Sequence, residues 1–247
     1  KLRSSVMNED MISSAELSRA ACCNLGESFV TNPSVDVSYS DAATGAKQIK
    51  LLGLSGTYVQ MLTENIPNYR GAAAPYGLGY VPGPWMQSIQ VSKGTSSVKN
   101  GYEAITGQIN VEFKKPQLPE ADWVSANLFA STTNRYEANA DATLKLSKRW
   151  STSLLAHYEN ETKAHDGNDD GFVDIPQVEQ YNVWNRWAYM GDHYVFQAGI
   201  KALSETRTSG QANHGGTMHS GDLYKVGIDT ERYEFFTKNA YIFNKEK

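Results

Sequence analysis

The sequence predicts an α+β domain followed by antiparallel strands of an incomplete transmembrane β-barrel. Three observations carry that prediction. Residues 1–118 mix one helix-like stretch with short, unevenly spaced strand-like runs and close on Lys114-Lys115-Pro116-Gln117-Leu118-Pro119, whose two prolines suit a hinge. Residues 119–247 change to runs of about ten residues in which apolar and polar side chains alternate. The connections between those runs are short at one end and long at the other.

Composition narrows the function classes. The chain has 247 residues, of which 40% are hydrophobic, enough to bury a core. Its net charge is −4 and its 23 Lys and Arg are scattered, so it lacks the basic stripe that nucleic acid requires. No run approaches the ~20 apolar residues of a spanning helix, but a spanning strand needs only ~9–11 residues of alternating character. The first residues, Lys1-Leu2-Arg3, lack the apolar core of a signal peptide, which suggests that a leader was removed or that the chain begins downstream of one. Cys22 and Cys23 are adjacent and cannot staple a loop; they read as small apolar residues packed under a helix.

Within the first half, Ser13 or Ser14 is placed to cap a helix over Ala15–Leu25, with Glu16 in its first turn and Gly26 near its end. Strands are expected at Val35–Tyr39, Gln48–Leu52, Tyr58–Leu62, Ile89–Lys93 and Gln108–Phe113, between Gly, Asn and Pro punctuation. Such short, irregular strands suit α+β better than a doubly wound sheet.

In the second half, Ala138 to Ser147 alternate without interruption: even positions are apolar, odd positions polar. That period places two different environments on the two faces of a strand. Similar runs at Trp123–Ser131, Thr152–Glu159, Tyr181–Met190, Tyr194–Glu205 and Phe235–Phe243 make six strands. Tight links fall at Lys148-Arg149-Trp150 and Gly191-Asp192-His193, and long ones at Glu161–Gln180 and Thr206–Arg232, with a short hairpin at Thr132–Tyr136. Short turns on one side and long loops on the other are the habit of outer-membrane barrels, and Trp123, Trp150, Tyr158, Tyr181, Trp187, Tyr189 and Tyr194 sit where interfacial girdles would lie. Six strands cannot close such a barrel. A soluble sandwich also alternates, but Ala138, Ala140 and Ala142 would fill little of its core.

Two stretches resemble the signatures of a family. Gln48–Pro67 (QIKLLGLSGTYVQMLTENIP) and Met86–Val111 (MQSIQVSKGTSSVKNGYEAITGQINV) are similar, in order and separation, to the plug motifs of TonB-dependent outer-membrane receptors. The resemblance implies an α+β plug domain over 1–118 and the first strands of the barrel over 119–247. It also implies uptake of a scarce, bulky ligand (ferric siderophore, haem or corrinoid), energised through a TonB-type periplasmic protein whose coupling segment is not found in this chain. The partners it implies are that protein, a small-molecule metal chelate or corrinoid, and outer-membrane lipid.

For the ligand, the apical candidate is the small-residue loop Tyr69–Tyr80, through Tyr69, Arg70, Tyr76 and Tyr80: tyrosines give flat contact area and arginine recognises anions. The same tyrosines equally suit a packed plug loop. Asp166, Asn168, Asp170, the Phe172 carbonyl and Asp174 follow the D-x-[DN]-x-[DN]-G calcium pattern, so structural Ca2+ is expected in this long loop. Gln177 stands where an EF-hand has its bidentate glutamate, which weakens the expected affinity; Glu179 is a substitute. His214 and His219 form a second, less specific pair suited to soft-metal or haem contact. Neither a G-x-S-x-G elbow nor an H-E-x-x-H helix is present, so no enzyme is expected. The alternative reading is a secreted, calcium-stabilised β-rich binding or adhesion protein.

Overall fold

In the computed structural model, residues 8–20, 24–29, 32, 35–41, 43–54, 56–95, 101–116, 123–212 and 223–243 are described below. The chain divides into two compact units, Lys1–Lys114 and Lys115–Lys247.

The first unit is α+β. Strand β1 (Asn8–Ser13) runs into helix α1 (Ser14–Ala20). The Ser13 amide and hydroxyl both donate to Glu16, at 2.7 and 2.9 Å, the reach-back half of a capping box. The helix is shorter than expected. Asn24 bridges to Pro82 and the Leu25 amide donates to the Val81 carbonyl at 3.0 Å, so the chain has left helical geometry there. Cys22 and Cys23 lie outside the described residues.

Strands β2 (Val35–Asp41) and β3 (Ala46–Leu51) form a separate hairpin. Strands β4 (Val59–Thr63), β5 (Ile66–Pro67), β6 (Met86–Lys93) and β7 (Gly107–Phe113) complete a sheet of order β1-β6-β7-β4-β5. Only β4 and β7 pair in parallel within it. Alternate β7 residues Ile109, Val111 and Phe113 are buried with Ile89, Val91, Leu62, Leu51 and Trp85. On the opposite face Asn110 is also buried; it accepts from the Asn65 amide at 2.8 Å and donates to Gln90 at 3.1 Å, so its burial leaves no polar debt.

The second unit is one antiparallel meander: β8 (Trp123–Ala130), β9 (Tyr136–Lys145), β10 (Trp150–Glu161), β11 (Gln177–Met190), β12 (Tyr194–Gly210) and β13 (Lys225–Tyr241), each paired with the next. The links are 146–149 and 191–193 at one end, and 131–135, 162–176 and 211–224 at the other. No described helix is long and apolar enough to cross a membrane.

Registers fix what each face carries. On one side lie Val124, Leu128, Leu154, Val183, Ile200, Tyr233 and Phe235, all exposed, with the alanines 138, 140 and 142 among them. On the other side Glu137, Asn139, Asp141, His157, Glu159, Asn182, Arg186, Lys201 and Glu205 are buried. Ion pairs and hydrogen bonds link many of these polar side chains to one another. Arg135 pairs with Glu137 at 2.6 Å and Glu159 at 3.0 Å, and Asn139 meets His157 Nδ1 at 2.8 Å. Gln180 donates to Glu205 at 2.7 Å, and Arg207 pairs with the same carboxylate at 3.1 Å. A soluble sandwich buries its apolar face; this sheet does the reverse, as a barrel wall in lipid must.

Candidate functional site

The predicted ligand loop leaves β5 and returns to β6. Asn68 turns it outward: its amide donates to the Met61 carbonyl at 3.0 Å, while its side-chain oxygen accepts from the Tyr69 amide at 2.8 Å. Tyr69 then takes a left-handed conformation (φ 52°) and Gly71 another (φ 59°), so Arg70 stands at the crest of a sharp backbone turn. The four predicted residues divide into two pairs. Tyr69 (4% exposed) and Tyr80 (2% exposed) are core residues, their ring centroids 6.3 Å apart. Gly77 makes room for them, since a Cβ there would fall 2.6 Å from that of Tyr69. Arg70 is exposed and Tyr76 half-buried. Beneath the loop lies a cavity of about 290 Å3, lined by Lys47, Gln48, Val59, Met61, Tyr69 and Pro75 among others.

A second loop meets Arg70, and sequence reasoning did not single out its residues for ligand contact. Arg70 Nε donates to Glu103 Oε2 at 2.7 Å. The Glu103 carboxylate holds the Arg70 guanidinium above the usual arginine range through that hydrogen bond and its charge. Residues 101–106 are tied down beside β4, because Ile105 and Thr106 both donate backbone amides to the Tyr58 carbonyl at 3.1 and 3.0 Å. Tyr102 is 82% exposed and Ile105 52% exposed on this loop. The only advance signal was their place within the second motif, Met86–Val111.

The Asp166–Asp174 loop is folded by its own side chains. Asp166 accepts the Gly171 amide at 2.8 Å, Asp170 the Phe172 amide at 2.9 Å, and Asp174 the Gly167 amide at 2.6 Å. The Asn168 amide group donates to Asp170 at 3.0 Å. The loop is fastened to the next one, Val173 donating to the Gly210 carbonyl and Ala212 to that of Gly171, both at 2.8 Å. Glu179 faces away, accepting from Tyr158 and Tyr181 at 3.2 and 3.0 Å. Among the described residues no group of three or more His, Cys, Asp or Glu side chains is gathered as a metal site. His214 and His219 lie outside the described residues.

An α+β domain continuous with strands that are apolar outward and polar inward defines a class: an outer-membrane barrel protein carrying a domain ahead of its barrel. Comparison with known proteins narrows the class. Residues 1–108 match the family model described as TonB-dependent Receptor Plug Domain. A comparison with curated sequences finds no match. Among solved structures, Pseudomonas aeruginosa FpvA in an iron complex with a heterologous pyoverdine superposes with a TM-score of 0.76 at 14% identity, over 98% of this chain and 33% of FpvA. The ferric-catecholate import receptor Fiu of E. coli K12 gives 0.63 at 18% identity, over 82% of this chain and 28% of Fiu. The copper transporter OprC gives 0.66 at 14% identity, over 91% and 34%. The chain therefore spans about a third of the length of the solved receptors it resembles. Residues 1–108 are therefore a plug domain of the kind carried by the TonB-dependent receptors of the bacterial outer membrane. These are receptors and transporters, not enzymes.

Proposed function

We propose that this chain is part of a TonB-energised uptake receptor for an iron chelate, with Arg70 and Tyr76 among the plug residues that meet the ligand. The observation that carries the reading is the exposed guanidinium at the crest of a plug loop, since arginine recognises anionic oxygen ligands. The fold neighbours FpvA and Fiu are named for ferric pyoverdine and ferric catecholate, which favours a ferric siderophore over haem or a corrinoid. The proposed partners are a TonB-type periplasmic protein and the outer-membrane lipid against the Leu154 and Ile200 face. Calcium is proposed as a structural cofactor of the Asp166–Asp174 loop. Support comes from its donor set of three carboxylates, an amide and a carbonyl, the hard oxygen ligands that calcium takes.

Uptake of radiolabelled metal by iron-starved cells expressing the full-length receptor tests the main reading, with iron-labelled ferric catecholates, ferric hydroxamates and haem and cobalt-labelled cyanocobalamin offered separately. TonB-dependent accumulation of a ferric chelate is the expected result. Accumulation of haem or cobalamin alone would reassign the ligand, and accumulation without TonB would overturn the energised mechanism.

A further inference from the structure

We infer that Glu103 is a positioning residue that holds Arg70 for a forked contact with an anionic, oxygen-donor ferric chelate. The inference rests on the ligand-contact reading of Arg70 proposed above. A guanidinium has five donors, and Glu103 engages it through Nε, at 2.7 Å. Among the described residues the two Nη groups have no partner, and the side chain is 45% exposed. Glu103 itself is only 24% exposed, and its contact at Nε leaves the two Nη groups uncovered by it. Its backbone is fixed by the amides of Ile105 and Thr106 on the Tyr58 carbonyl, and the Arg70 backbone by the turn at Tyr69 and Gly71. Two anchored segments therefore aim one pre-oriented fork outward, and less side-chain freedom is lost when an anion binds. Exposed Tyr102, on the same loop, supplies flat contact area beside it.

A rival role makes the opposite prediction. If Glu103 merely masked Arg70, removing its charge would strengthen anion binding. The test uses full-length receptor in detergent, with intrinsic fluorescence titrated by a trianionic ferric tris-catecholate and by a neutral ferric tris-hydroxamate. Arg70→Ala and Glu103→Ala should each weaken tris-catecholate binding by about tenfold, the scale of one charge-assisted hydrogen bond. Both should leave the preference-free neutral chelate within about twofold, which a general loss of structure would not do. Glu103→Gln, whose amide oxygen still accepts from Nε, should retain affinity to within about threefold. Glu103→Asp, which keeps the charge but withdraws it by one methylene, should weaken binding and carries the test if the alanine variant fails to assemble. Unchanged or tighter tris-catecholate binding in Glu103→Ala or Glu103→Asp, alongside weakening in Arg70→Ala, overturns the positioning role and leaves the ligand-contact reading standing. Full binding by Arg70→Ala, or no saturable binding of either chelate by the unsubstituted receptor, overturns both.

Discussion

Trp150 and Tyr158 stand on the same outward face of β10, one beside the short turns and the other toward the long loops. Each packs at a tilt against a ring from β11: Trp150 against Tyr189 with centroids 5.1 Å apart, and Tyr158 against Tyr181 at 4.9 Å. The separation of the two rings along a strand is roughly 27 Å, which a barrel tilt of about 40° projects to roughly 21 Å, close to the ~25 Å apolar band of outer-membrane barrels. Leu154 lies midway and is exposed, so it faces the centre of that band.

Depth should therefore set the cost of an outward charge. Leu154→Arg is expected to destabilise the folded receptor by about 2–4 kcal/mol, and Asn160→Arg, beyond the Tyr158 ring, by about 0–1 kcal/mol. Equilibrium unfolding in lipid vesicles measures both. Equal costs at the two positions would contradict the assignment of the band.

Gly199 makes a second, sterically defined prediction. A Cβ there would fall 2.4 Å from Phe236 Cε1 and 2.7 Å from Trp184 Nε1, whose rings meet edge-on at 6.0 Å. Arg186 lies over the Trp184 ring at 4.5 Å, so displacing that ring disturbs a buried cation as well. Gly199→Ala should cost about 1–3 kcal/mol, the range for overpacking, with a loss of near-ultraviolet circular dichroism from the tryptophan.

In the plug, the Thr44 hydroxyl donates to Asp41 at 2.5 Å and, as the largest influence, holds its carboxyl below the ordinary value of 3.8. A lowered folded-state pKa means that the contribution is complete above the ordinary value and is lost as pH falls through the lowered one. Thr44→Val should raise the Asp41 pKa toward the ordinary value, as followed by carbon-13 NMR of the carboxyl group. No change would place the cause elsewhere.

Calcium should act on one loop. Adding a chelator to the full-length receptor is expected to speed proteolysis within 162–176 and leave the strands intact, and Asp166→Asn with Asp170→Asn should abolish the calcium dependence. Identical cleavage with and without calcium would remove the cofactor.

Much of this architecture was legible because lipid and lumen impose opposite demands on alternate residues. The strict alternation of Ala138–Leu146 placed β9, and the same contrast located the other five strands. It failed where the contrast disappears. Strand β13 begins at Lys225, ten residues before the expected start, because Asp229, Thr230, Glu231 and Arg232 are polar on both faces. Strand β1 was missed for a related reason: Asn8–Ser13 is a polar edge strand held to β6 by backbone pairing, which leaves little trace in side-chain pattern. At the site, Arg70 was legible as an exposed cation. Tyr69 and Tyr80 were not legible as core, since a tyrosine suits a packed or a presented position equally well. Glu103 gave no signal, because its role depends on a partner 33 residues away in sequence.

The central claim is that alternate residues of these strands meet lipid. The most direct measurement is a spin-label scan of positions 138–144 in the full-length receptor in bilayers, with Cys22 and Cys23 replaced by alanine, recording collision with oxygen and with a water-soluble nickel complex. The account predicts a period of two, with labels at 138, 140, 142 and 144 open to oxygen and shielded from nickel, and those at 139, 141 and 143 protected from lipid. Even-numbered labels that are open to the nickel complex, or buried from both reagents as in a soluble sandwich core, would contradict it.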